Sequence, residues 1–102
     1  MIWIISGTQD GREIGAALAD REQSKPEGER REILMTVVSQ YGKVLAAHKG
    51  LDIEVGRFRE EDMLRVIREK GISLILDASH PYAAIVSETA RAACTKAGID
   101  YV

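Results

Sequence analysis

The sequence is short of several things. It has one cysteine, Cys94. A lone thiol forms no disulfide within the chain, and no metal-ligand spacing surrounds it. No bound metal is expected, and the usage fits a reducing cytoplasm. Positive charge is also not in excess: 14 Lys and Arg face 16 Asp and Glu, for a formal net charge of -2. With no global basic field, nucleic acid is not an expected partner. A long hydrophobic run is missing too. Met1-Ile2-Trp3-Ile4-Ile5 is apolar but ends at Ser6 and Gly7. It is too short for a membrane span and carries no basic segment of a signal peptide.

What is present is enough for one domain. The 102 residues are 45% hydrophobic, which supplies a core, although a domain this small keeps a thin stability margin. Short apolar runs alternate with amphipathic segments. Strands are expected over Ile2 to Ser6, Ile33 to Ser39, Leu51 to Val55, Ser73 to Asp77 and Ile99 to Val102. Leu74-Ile75-Leu76 has no polar alternation, as suits a parallel sheet covered on both faces. Helices are expected over Gly11 to Ala19, Tyr41 to His48, Glu60 to Lys70 and Tyr82 to Ala97. In the first, Asp10 reads as the N-cap with Glu13 three residues on, and Ile14, Ala17 and Leu18 fall on one face. In the third, Met63, Leu64 and Ile67 form the buried stripe, behind the acidic first turn Glu60-Glu61-Asp62. In the fourth, Val86, Ala90, Ala93 and Ala97 are in register, with Gly98 as the stop. Nine of the 13 residues from Asp20 to Glu32 are charged, around Pro26 and Gly28. That composition reads either as a solvated extension of the helix followed by a loop or as partly disordered, with the loop preferred.

Strands alternating with helices imply an α/β fold: a Rossmann-like, doubly wound parallel sheet of about five strands with right-handed crossovers. Ligands of such sheets bind outside the carboxyl ends of the strands, where strand order reverses. The loops after Ser6, Val38, Val55 and Asp77 are therefore the places for a site. Ending on a strand without its following helix points to a chain truncated before a second domain.

The first loop, Ser6-Gly7-Thr8-Gln9-Asp10-Gly11-Arg12-Glu13-Ile14-Gly15, is not GxGxxG, so the usual dinucleotide fingerprint is absent. It still meets the same needs. Gly7 permits a tight turn, Gly11 a close backbone approach to a ligand, and Gly15 close helix–strand packing. The leading helix N–H groups, the Thr8 hydroxyl and the Arg12 guanidinium suit a phosphate. The second loop, Val38-Ser39-Gln40-Tyr41-Gly42-Lys43, lacks the acid that grips a ribose 2′-hydroxyl in NAD-specific domains. Ser39, Gly42 and Lys43 in its place favour a 2′-phosphate, hence NADP(H) over NAD(H). The fourth loop, Asp77-Ala78-Ser79-His80-Pro81-Tyr82-Ala83, puts Ser79, His80, Pro81 and Tyr82 at the binding edge. There Asp77 or Ser79 would cap the helix, Pro81 fits its first turn, and His80 suits a ligand contact or proton transfer. His48 reads as surface; Cys94, Trp3 and Met63 read as core.

These loops, with Gly56-Arg57 and above all Asp77 to Ala83, resemble the precorrin-6A reductase family, which includes cobalt-precorrin-6A reductases. The resemblance covers nearly all of this chain and about the N-terminal half of a family member. It implies a two-domain enzyme of the cobalamin pathway whose residues 1–102 here are the NADP(H)-binding domain and whose C-terminal domain is missing. It implies hydride transfer from NADPH to one double bond of a tetrapyrrole, precorrin-6A. By the same resemblance, Gly7, Thr8, Gly11 and Arg12 match the cofactor loop, and Ser39, Gly42 and Lys43 the region of the ribose phosphate. Ser79, His80, Pro81 and Tyr82 match the nicotinamide and substrate cleft. No catalytic residue is assigned. Arg57 and Arg91 are candidates for meeting the substrate carboxylates. The charged stretch from Asp20 to Glu32 departs from the family's usual connection. Two other readings compete: a non-catalytic nucleotide-binding or regulatory module, and a phosphoacceptor receiver domain. The receiver needs an acidic cluster after the first strand and an aspartate ending the third, whereas Asp10 stands alone and the third strand ends Glu54-Val55-Gly56.

Overall fold

A computed structural model describes residues 1–80 and 83–102; the expectations for Pro81 and Tyr82 lie outside the described residues. The chain runs β1 (Ile2–Ser6), α1 (Gln9–Gln23), β2 (Ile33–Val37), α2 (Gln40–Ala46), β3 (Leu51–Val55), α3 (Glu60–Lys70), β4 (Leu74–Ala78), α4 (Ala84–Ala97) and β5 (Asp100–Tyr101), with one 3₁₀ turn at Glu27–Glu29. All strand pairs are parallel, in the order β3-β2-β1-β4-β5. Strand order reverses at β1, the doubly wound arrangement expected from the alternation. A receiver domain would place its first strand second in the sheet, so this order removes that reading.

β1 is the hub. It pairs with β2 from Ile2 opposite Ile33 and with β4 from Ile2 opposite Leu74. All five of its residues are buried. Alternation sends Trp3 and Ile5 to one face and Ile2 and Ile4 to the other. The first pair packs with Leu34 and Ile75 under Met63 and Ile67 of α3 and Ala90, Ala93 and Cys94 of α4. The second packs with Ile33, Met35 and Val37 under Ala19 of α1 and Ala46 of α2. Sheet-facing Trp3 hides a polar atom, and its indole Nε1 donates to the Thr36 Oγ1 at 2.9 Å. Its ring meets Phe58 edge-on, centroids 5.4 Å apart, a favoured aromatic geometry.

Several expectations are corrected. The N-cap of α1 is Thr8, not Asp10, and Glu13 instead accepts from the Gln9 side chain at 3.0 Å. The buried face of α1 is Gly11, Gly15, Ala19 and Glu22, while Ile14 is 39% exposed and Ala17 is also exposed. Small residues win that face because the helix lies close on the sheet: a Cβ on Gly15 would collide with the Met35 methyl. β2 stops at Val37, because Ser39 turns away to cap α2. In α4, Ala97 is exposed and Cys94 takes its place in the core. α3 follows expectation, with Met63 and Ile67 buried and Leu64 packed beside them.

From Asp20 to Glu32 the chain takes the first of the two expected forms: α1 continues to Gln23 and a connection with one 3₁₀ turn follows. The reason is Glu22, only 5% exposed, whose carboxylate accepts from the Lys25 Nζ at 2.8 Å and the Arg31 backbone N–H at 2.7 Å. One carboxylate thus folds the charged stretch back toward β2. The Lys25 hydrogen bond first, then the Arg31 amide, hold the Glu22 carboxyl below the ordinary glutamate value. A depressed pKa adds stability above the unfolded-state value, and that stability is lost as pH falls through the folded-state one. Glu22→Gln should therefore lower the denaturation midpoint at neutral pH. The gap to wild type should close as pH drops through and below the normal glutamate range, read by urea melts at several pH values. A gap independent of pH would mean that the Glu22 charge is not what holds the connection.

Candidate functional site

At the carboxyl end of the sheet, β1 and β4 send their chains to opposite faces. The two strands stay tied there. Gly7 N–H donates to the Ala78 carbonyl at 3.2 Å, and the Thr8 hydroxyl reaches the same oxygen at 3.4 Å. A Cβ on Gly7 would lie 3.0 Å from the His80 backbone nitrogen and 3.4 Å from the Ser79 Cα. Glycine at position 7 lets the two loops touch along their main chains.

Thr8 caps α1 by accepting from the Gly11 N–H at 3.2 Å. Its hydroxyl is therefore engaged on both sides. Gly11 does not open to a ligand as expected. It is buried, and a Cβ there would meet the Ser6 Oγ at 2.7 Å and the Ala78 Cβ at 3.0 Å. Its role is to seat the helix start on β1 and β4. The amides of Gln9 and Asp10 lead the helix without an intrahelical carbonyl to bond, and the side chain of Arg12 is half-buried beside them.

Two concavities flank this junction and share Ser6, Val37 and Val38 in their walls. The smaller, about 110 Å³, lies between the starts of α1 and α2 and is lined by Gly7, Thr8, Arg12, Ser39 and Gly42. Ser39 caps α2 by accepting from the Gly42 N–H at 3.0 Å, which leaves its own hydroxyl hydrogen directed elsewhere. Among the described residues that line it there is no acid. Five of the seven residues expected to hold a cofactor thus meet in one cleft. Gly11 lies beneath it, and Lys43 is an exposed residue of α2 outside its walls. The larger concavity, about 220 Å³, lies over the other face of the sheet. Trp3, Thr36, Phe58, Met63 and Val86 give it apolar walls, with Gly56 and Arg57 from the β3–α3 loop. The sequence reading noted Gly56-Arg57 but not this cleft, since its walls come from five separate segments.

Asp77 was expected at most to cap α4. It instead collects four donors. Oδ1 accepts from the Ser79 N–H at 3.0 Å and the Ser79 Oγ at 2.5 Å; Oδ2 accepts from the Ser87 Oγ at 2.6 Å and the Tyr101 hydroxyl at 2.5 Å. Burial pushes the Asp77 carboxyl up, but the bonds from Ser79, Ser87 and Tyr101 outweigh it and leave it below the ordinary aspartate value. Burial and the bond to Asp77 push the Tyr101 phenol up. Ser79 is therefore a structural partner of Asp77, not a side chain aimed into the cleft. His80 is exposed, and its carbonyl accepts from the Ala83 N–H at 2.8 Å. Of the two arginines proposed for substrate, Arg57 lines the apolar cleft, whereas Arg91 sits 5.3 Å from the centroid of the Tyr101 ring. His48 is exposed as expected and meets Asp20 at 2.8 Å.

The family model described as "Precorrin-6x reductase CbiJ/CobK" matches residues 1–102. The chain belongs to this precorrin-6x reductase family. It is 31% identical over 102 residues to the cobalt-precorrin-6A reductase of Priestia megaterium, covering all of this chain and 37% of that protein. It is 28% identical over 102 residues to that of Synechocystis sp., covering 99% and 36%. In three dimensions it is similar to the CobK precorrin-6A reductase, with a TM-score of 0.73 at 23% identity, over 98% of this chain and 36% of that one. That likeness bears on the fold. The chain spans about a third of the length of the relatives it matches, rather than the half that the resemblance implied. Among the described residues no group of His, Cys, Asp and Glu is placed to hold a metal ion, and no helix is long and apolar enough to cross a membrane.

The tight seating of α1 has a measurable consequence. Gly11→Ala gains about 1 kcal/mol of helix propensity, but the forced shift of Ser6 and Ala78 is an overpacking of about 1–3 kcal/mol. A net loss of stability is expected in denaturant melts. An unchanged or raised midpoint would show that the junction has room that the geometry denies.

Proposed function

We propose that this chain is the NADP(H)-binding portion of an NADPH-dependent reductase acting on precorrin-6A or cobalt-precorrin-6A in cobalamin biosynthesis. The observation that carries the reading is the acid-free cleft at the switch point, which brings Gly7, Thr8, Arg12, Ser39 and Gly42 together. Family membership supplies the reaction class, since the relatives carry the name cobalt-precorrin-6A reductase.

The residues present fit the cofactor. Arg12 offers a guanidinium to a phosphate, and the leading amides of α1 add their partial positive charge. Ser39 and the Gly42 backbone suit the 2′-phosphate, where a carboxylate would repel it. The apolar cleft walled by Trp3, Phe58 and Val86 suits a flat ring. The bound cofactor supplies the hydride. The protein's share is to hold, orient and screen: Gly7 lets the main chain of Ser79 and His80 close against the end of β1, and Ile85 and Val86 at the start of α4 border the apolar cleft, the side read for the nicotinamide and the tetrapyrrole. Arg57 is placed to meet an anionic group of cofactor or substrate. Cytoplasmic residence and a separate second domain belong to this same reading.

Three outcomes are expected. In calorimetric titration the chain should bind NADPH at least tenfold more tightly than NADH. Arg12→Ala should weaken NADPH binding by roughly tenfold or more, the usual scale for losing a charged hydrogen bond. Equal affinity for the two cofactors would remove the assignment of Ser39 and Gly42. The isolated chain should also show no turnover of precorrin-6A with NADPH, because two thirds of the relatives' length lies outside it; measurable reduction would contradict that. A longer form that binds NADPH yet reduces no tetrapyrrole would favour the regulatory-module reading instead.

A further inference from the structure

The bonds of Asp77 form a clasp between three elements: Ser79 belongs to the β4–α4 loop, Ser87 to α4 and Tyr101 to β5. An ionised carboxylate offers about four acceptor sites, and this one receives four donors. The clasp is not a helix cap. Ala83 stands at the N-cap position of α4 and makes no side-chain cap bond, while Ser87 lies in the helix beyond the first turn. The bond from Ser79 N–H to Oδ1 closes an Asx turn, which sets the direction in which the chain leaves β4. The next main-chain atoms, at Ser79 and His80, are those on which a Cβ at Gly7 would press. Gly7 in turn donates to Ala78. The charged groups facing the clasp are few: the Arg91 guanidinium lies over the Tyr101 ring, and no acid shares the four bonds.

From this geometry we infer that Asp77 is a positioning residue of the cofactor site: by clasping Ser79, Ser87 and Tyr101 it fixes the main chain of Ser79 and His80 against Gly7 and holds the start of α4, whose Ile85 and Val86 wall the apolar cleft read above as the flat-ring side. The inference rests on the NADP(H) reading above. It assigns Asp77 no contact with cofactor or substrate. Asparagine keeps an acceptor oxygen for Ser79 but would have to donate through its amide to the Ser87 and Tyr101 hydroxyls, so the charge-assisted bonds of the carboxylate are lost.

The test has two readouts on the same chain. In apo protein, Asp77→Asn should speed amide hydrogen exchange at Ser79 and Gly7 by about tenfold or more, while the Gly42 amide, held by Ser39 on the far side of the cleft, changes less than about twofold. NADPH affinity should fall about tenfold, whereas 2′,5′-ADP, which lacks the nicotinamide half, should bind within about twofold of wild type. Ser87→Ala, which removes one donor, should shift both readouts in the same direction by a smaller factor, and it carries the test if Asp77→Asn does not fold. Uniform acceleration of exchange with equal loss of both ligands would overturn the inference in favour of a general stabilising role. Unchanged exchange at Ser79 and Gly7 would overturn it outright. If the wild-type chain binds neither NADPH nor 2′,5′-ADP, the cofactor reading falls, and the exchange pattern alone still decides whether Asp77 positions the loop.

Discussion

The fold depends on how closely α1 can approach the first strand. β1 is buried along its whole length and bonded on both edges, so its neighbours on each face set what can sit above it. At its carboxyl end the side chains must shrink. Gly7 meets the backbone of Ser79 and His80, Gly11 sits on Ser6 and Ala78, and Gly15 lies over Met35. The three glycines are four residues apart, so the second and third share one stripe of the helix and the first turns the chain into it. A Cβ at Gly11 would press α1 off Ser6 and Ala78, and one at Gly15 would displace the Met35 methyl. The helix start would then withdraw from the crevice, and the shallow cleft between α1 and α2 would lose one wall. Close packing and site geometry are here the same constraint.

Much of this architecture was legible. The alternation of apolar and amphipathic segments located the five strands and four α-helices of the described residues, and Gly98 marked a helix end, where it adopts the left-handed conformation. Five of the candidate cofactor residues could be brought to one edge because strand ends and loop composition are local properties. The errors have a common physical source, which is that sequence patterns report polarity and not proximity. Ile14 looked like a core residue because it is apolar, yet glycine and alanine hold the buried face because the sheet is too near for isoleucine. Asp10 looked like a cap because it is acidic and followed by Glu13, yet Thr8 is where the chain turns. The charged stretch from Asp20 to Glu32 left a helix extension and disorder both open, and the contacts of Glu22 with Lys25 and Arg31 show why the helix persists to Gln23.

The Asp77 cluster shows the same limit at the site. An aspartate ending an apolar strand, with serine two residues on, is a readable Asx-turn signal. Its bonds to Ser87 and Tyr101 span 10 and 24 residues, and no local pattern announces them. The family motif from Asp77 to Ala83 was the most specific part of the sequence, but its physical content divides. Asp77 and Ser79 shape the loop, and His80 follows them as an exposed residue. A motif read as a set of ligand contacts is in part a set of contacts among its own residues.

The two ends of the sheet are built on opposite terms. At the amino end the chain is tied by polar bonds: Ile2 N–H to Glu32, Ser73 N–H to Met1, the amino terminus to Gly71, and the Glu22 carboxylate to Lys25 and Arg31. At the carboxyl end, glycines and hydroxyls leave two concave surfaces, and the partly buried carboxylate there, Asp77, is saturated by its own neighbours. That saturation matters for an anionic ligand. An unpaired carboxylate at the mouth of β4 would repel phosphate across a few ångströms of low-dielectric protein. With four donors pointed at it, its charge is spread into hydroxyl and amide dipoles and its field at the cleft is reduced. Arg12 and the leading amides of α1 then offer positive groups to the cleft, with Asp10 of the same first turn outside its walls, in a chain whose net charge is negative. Local placement thus supplies the attraction that composition does not.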